Sequence, residues 1–156
     1  MRKIQSLIVS IAAISLMGAM SACSDDDTSA SPDAVKSGGQ ASVTVEGKAL
    51  DLGSTTVVCT EQAGKWVIAI GDGTAAGAGT GVGATLTTGD NPQVETVGLG
   101  SAGGQVLGWV KGTPGGEATA TKDGKKYMIS GNVTAVDTAN PTAPSKKSFE
   151  IKVTCP

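Results

Sequence analysis

The sequence predicts an all-β fold, a small single-domain antiparallel sandwich or strongly curved sheet. Three observations point there. Short runs alternate apolar and polar residues with period two, the mark of a strand with one buried face. Glycine, proline and asparagine separate these runs at short intervals, as turns require. No window carries a helical stripe, because glycine, 23 residues of the 156, interrupts every Ala-rich stretch, and each such glycine costs a helix about 1 kcal/mol relative to alanine.

The elements follow in order. Ser42-Val-Thr-Val-Glu-Gly alternates and then turns through Glu46-Gly47-Lys48. Thr55–Cys59 and Lys65–Ile70 flank Ala63-Gly64 and read as a hairpin. Gln93–Gly98 and Gln105–Lys111 are rich in strand-forming residues. Glu117–Thr121 meets Lys125–Val136 across Lys122-Asp123-Gly124, and Asp-Gly is a strong short-range hairpin signal. Ser148–Cys155 alternates to its end. That makes seven or eight short strands. Trp66, Trp109, Tyr127 and Phe149 are the only aromatic residues, so Val, Ile, Leu and Ala must build the core.

The first 22 residues are a different object. Arg2 and Lys3 precede an apolar run of 17 residues from Ile4 to Met20, and Met20-Ser21-Ala22-Cys23 follows. A positive end, an apolar centre and small residues before the break form a secretory signal peptide. A cysteine just after the small pair is the pattern of a bacterial lipoprotein. Residues 1–22 are therefore expected to be removed by cleavage between Ala22 and Cys23. The Cys23 thiol takes a diacylglyceryl group, and its new amine takes an acyl chain. Two or three chains anchor a protein stably where a single one does not. The protein is thus expected at the cell membrane, lipid-anchored on the extracytoplasmic face of the envelope. The competing readings are an uncleaved spanning helix, for which 17 residues is the short limit, and a plain secretion signal.

Residues 23–41 read as the lipidated cysteine and a disordered tether, and 42–156 as the β-domain. Ser24–Ala41 offers little apolar surface to offset the entropy of ordering. Its 18 residues would span about 24 Å as a flexible chain. The Asp25-Asp26-Asp27 run reads as a solvated tether rather than a cation site. Without the leader, 134 residues remain, with 10 Lys+Arg against 14 Asp+Glu. That mild negative charge argues against nucleic acid as a partner.

Three cysteines are present. With Cys23 lipidated, Cys59 and Cys155 form an even pair in an oxidising compartment. A bond between them closes a loop of about 97 residues, worth roughly 4–5 kcal/mol in the chain-entropy model. Redox pairs sit close in sequence, and a metal site needs more soft ligands than a chain without histidine supplies. No metal and no cofactor is expected beyond the covalent lipid.

Catalytic arrangements lack their parts. Without histidine there is no Ser-His-Asp or Cys-His unit. Lys147, Ser145 and Ser148 do not show Ser-x-x-Lys spacing. Glu46, Asp51, Glu95 and Glu117 are available for paired-carboxylate chemistry, yet nothing in the sequence brings two together. Gly71-Asp-Gly73-Thr-Ala-Ala76, with Asp90 beyond, mimics a dinucleotide fingerprint. That mechanism needs a helix at its end, and alternate glycines to Gly83 favour a loop or strand. The sequence reads as a non-enzyme.

Longer stretches carry a resemblance. Val57-Val-Cys59-Thr, Ile68-Ala-Ile-Gly71, Val97-Gly-Leu-Gly100, Ala118–Gly124, Tyr127, Ala139-Asn-Pro141 and Lys147–Ile151 with Val153-Thr-Cys155 are similar to the mycobacterial lipoprotein antigens of nineteen kilodaltons. The resemblance runs in order through nearly the whole domain. It implies a cell-surface lipoprotein antigen of an actinobacterial envelope, without enzymatic activity. Its acylated N-terminus, here Cys23 with Ser24 and Asp25, would be sensed by the host's Toll-like receptor 2. The family tether is rich in threonine and can be O-glycosylated, whereas this one offers Thr28 and a few serines. The alternative is a carrier of lipid or envelope glycolipid with an apolar cavity. Filling the core already uses most of the apolar residues, which favours the antigen reading.

Overall fold

The computed structural model describes residues 37–71 and 81–156. Ala22, Cys23, the leader and residues 72–80 lie outside them. Among the described residues eleven strands form one antiparallel sheet: β1 (Ser37–Gly38), β2 (Gln40–Val45), β3 (Lys48–Ala49), β4 (Val57–Gln62), β5 (Lys65–Ile70), β6 (Val82–Thr87), β7 (Val94–Ala102), β8 (Gln105–Val110), β9 (Glu117–Asp123), β10 (Lys126–Asp137) and β11 (Ser145–Thr154). The sheet order is β1-β4-β5-β6-β7-β8-β10-β11-β2-β3, and β9 pairs with the first half of β10. Of the two expected architectures, the curved sheet is the one that forms.

The curvature has a visible cause. β1 and β2 are one stretch of chain broken only at Gly39, yet β1 pairs with β4 and β2 with β11, at opposite ends of the sheet. Residues 37–45 therefore bring the two ends together. Gly39 makes the crossing with φ of 84°, and a side chain there would collide with the Thr154 carbonyl oxygen. Only glycine tolerates both conditions. The expected tether reached Ala41, whereas pairing starts at Ser37 and Ala41 stands opposite Val153.

Closure turns one face of every long strand inward. Ile68, Leu86, Leu99, Leu107, Ile129 and Ile151 are almost fully buried. Trp109, Tyr127 and Phe149 complete the same cluster, and no polar or charged residue among the described ones is buried. The aliphatic core that the composition required is the core that forms.

Three hairpins use two-residue turns with positive φ at both central positions: Glu46-Gly47, Ala63-Gly64 and Gly103-Gly104. That is the twist-matched type I′ geometry. The β9–β10 turn differs from expectation. Asp123 pairs with Lys126 and Lys122 with Tyr127, so the turn is centred on Gly124-Lys125 rather than running across Lys122-Asp123-Gly124. Glycine with φ of 58° stands first, the pattern of a type II′ turn. The glycine-rich run that the sequence left open between loop and strand enters β6 only at Val82 and Gly83, and its residues 72–80 lie outside the described ones.

Candidate functional site

The closure is fastened covalently. Cys59 lies in β4 and Cys155 directly after β11; they are disulfide-bonded, with Cα atoms 5.8 Å apart across 96 residues of sequence. The separation is ordinary for a disulfide. The Cys155 N–H donates to the Lys125 carbonyl at 2.9 Å, which holds the end of the chain against the start of β10. The bond thus joins the same two sheet ends that residues 37–45 bridge.

An aromatic pair sits beside it. Trp66 of β5 stacks on Tyr127 of β10 with ring centroids 6.1 Å apart and planes 20° from parallel. Both rings border a hollow of about 300 Å³ with Cys155, Lys122 and Lys125. Tyr127 is only 7% exposed, and burial raises its pKa above the ordinary phenol range. The Trp66 indole N–H has no hydrogen-bond partner among the described residues. Nothing in the sequence linked these two aromatics, because they come from strands that are not neighbours.

The candidate acids are kept apart or occupied. Lys147 Nζ donates to Glu46 Oε2 at 2.8 Å, and this hydrogen bond, with the lysine charge, lowers the Glu46 pKa. Lys65 pairs with Glu95. Asp51 accepts the Gly53 N–H at 3.1 Å, within its own turn. Glu117 is exposed in β9, opposite Asn132. Ser145 and Ser148 are exposed along β11. Among the described residues no three His, Cys, Asp or Glu side chains gather as a metal site.

The dinucleotide-like run finds a place in part; its Gly73 and Ala76 lie outside the described residues. Trp66–Ile70 lies in β5, and the next described strand, β6, pairs with it antiparallel from Lys65–Thr87 to Ile70–Val82. A dinucleotide fold requires parallel strands joined by a helical crossover. Asp90 lies in the turn beyond β6, with its side chain almost fully exposed.

Comparison with known proteins adds the relationship. The family described as Mycobacterium 19 kDa lipoprotein antigen matches residues 34–155, which include Cys59, Cys155 and all eleven strands. This chain belongs to that family. Lipoprotein LpqH of Mycobacterium tuberculosis is 50% identical over 113 residues, covering 72% of this chain and 67% of the relative. Lipoprotein LpqH of Mycobacterium avium is 48% identical over 113 residues, 72% and 66% of the two chains. A putative lipoprotein of Mycobacteroides abscessus is 35% identical over 138 residues, 85% and 86%. In this member of the 19 kDa family, Ala22 and Cys23 precede both the family match and the described residues.

Proposed function

We propose that this chain is a non-enzymatic lipoprotein antigen of the cell envelope, held on the extracytoplasmic face of the membrane by acyl groups on Cys23. The observation that carries it is the assignment of sulfurs. Of three cysteines, Cys59 and Cys155 are bonded to each other, so the cysteine at the end of Met20-Ser21-Ala22-Cys23 is the one left for a lipid. The relatives that bear the name lipoprotein support the same reading. Residues 1–22 act as the leader, and the chain from Cys23 to the start of β1 spaces the β-domain from the bilayer. The acylated N-terminus is the part that a host Toll-like receptor 2 senses. The domain itself contributes display rather than chemistry, since its acids are paired or scattered.

The test is a Cys23→Ala exchange followed by labelling with a clickable palmitate and mass measurement. The parent should weigh more than its amino acids from residue 23 onward, and the variant should lose the label and the receptor response while keeping its fold. Undiminished receptor stimulation by the variant would assign the signal to the β-domain instead.

A further inference from the structure

The face of β5–β8 opposite the core carries an unusual row. Registered pairs place Ala69 beside Gly83, Gly83 beside Gly98, Gly98 beside Gly108 and Gly108 beside Thr134. Three adjacent strands thus present a glycine at the same level, with the smallest side chain of β5 at one end. With strands about 4.8 Å apart, this row is a trough roughly 19 Å long.

Local geometry does not demand glycine at two of these positions. Gly98 and Gly108 do not have positive φ. A side-chain carbon built on Gly98 meets nothing within 4 Å, and one on Gly108 meets only the Val97 carbonyl oxygen, at 3.2 Å. Glycine weakens a strand interior and often marks the close approach of something to the backbone. Above Gly98 the space is open on the outer side of the sheet, and above Gly108 nearly so, while Gly83 is buried.

The walls mix valine with threonine and carry no charge among the described residues. The next row on the same face is Val67, Thr85, Thr96 and Val110, about 7 Å along the strands. Val106 rises on the other side. Val106 and Val110 are 49% and 51% exposed, two of the three large hydrophobic side chains left in water among the described residues. The trough encloses about 940 Å³, and no Asp, Glu, Lys or Arg among the described residues lines it. Thr113 and Pro114 border it near Thr134, and Gly115 packs so close that a methyl group there would stand 2.9 Å from the threonine hydroxyl. One end is thereby stopped by a loop.

We propose that this trough binds a single extended acyl chain of a lipid. Its floor is backbone with little side chain, so it has dispersion and burial to offer and no charged side chain among the described residues to pair. Its volume falls in the range of small-ligand sites. Its width, one row between two flanking rows, suits one hydrocarbon chain. A footprint of roughly 19 by 14 Å, from the strand geometry, is far below the about 800 Å² per partner of a stable protein interface. That weighs against a second copy as the occupant. The site lies outside the closed core, so it needs none of the interior volume that a cavity-type carrier requires. It is also independent of the Cys23 anchor.

The full chain carrying Cys23→Ala, which has no acyl group of its own, is irradiated with a diazirine-bearing palmitic acid, and the adducts are mapped by mass spectrometry. Adducts should concentrate on β6, β7 and β8 and disappear with excess unlabelled palmitate. Gly98→Val fills the trough with a good strand former and should lower labelling about tenfold, the effect of denying roughly two methylenes their burial. Its unfolding midpoint should be equal or higher. Val110→Asp, on the exposed rim, should lower labelling comparably with the fold intact. Adducts confined to the leader, scattered over the surface, or undiminished in both variants would overturn the proposal. So would a dimer that protects β6–β8 and takes no label.

Discussion

Single residues set the pH response. Glu46 has a lowered pKa because Lys147 donates a hydrogen bond to it and adds its charge. Its contribution is present above the unfolded-state pKa and is lost as pH falls through the lower folded one. Because the pair is exposed, Lys147→Met should return Glu46 to the ordinary glutamate range by NMR titration while hardly moving the unfolding midpoint. Tyr127 has the opposite sign. Its raised pKa gives stability that is complete below the ordinary phenol pKa and is lost as pH rises through the folded value. As the chain has one tyrosine, tyrosinate absorbance reports Tyr127 alone. It should develop at higher pH in the folded than in the urea-unfolded protein, and Trp66→Ala should narrow that gap; coincident curves would refute the burial argument. The Glu46-Gly47 turn could be read from two adjacent letters. The partner of Glu46 could not, because Lys147 is 101 residues away.

At the scale of elements, Gly39 is the position where one substitution opens the closure. A Gly39→Val chain must relieve both a positive φ and a clash with a backbone oxygen. It should lose about 1–3 kcal/mol or more in urea unfolding, the usual toll of such strain. Ile151→Ala, at a fully buried position in β11, should lose about 2–5 kcal/mol. Period two made most of β2 and of β11 legible, since each strand has a drier and a wetter face. It was also present in β6, where buried Ala84 and Leu86 alternate with half-buried Thr85 and Thr87, although Val82 and Gly83 are both buried. Glycine hid that signal, because a residue without a side chain suggests a loop until its neighbours across the sheet are known. The glycine row escaped notice for the same reason: it exists only once register aligns Gly83, Gly98 and Gly108.

For the whole molecule, a core with four aromatics depends on its cross-link. Reducing Cys59–Cys155 should remove about 2–5 kcal/mol, read as a drop in the urea or thermal midpoint on adding reductant. Equal midpoints with and without reductant would mean that the strand crossing alone holds the sheet closed. The even cysteine count revealed the pairing, but not that it joins the two sheet ends. The placement has a mechanical meaning. Tension arriving at Ser37 meets β1–β4 and β2–β11 hydrogen bonds on opposite sides of a single strand. A load along that strand must shear both ladders together instead of unzipping one bond at a time. Behind them, a covalent rivet between Cys59 and Cys155 keeps the neighbouring strands from sliding apart.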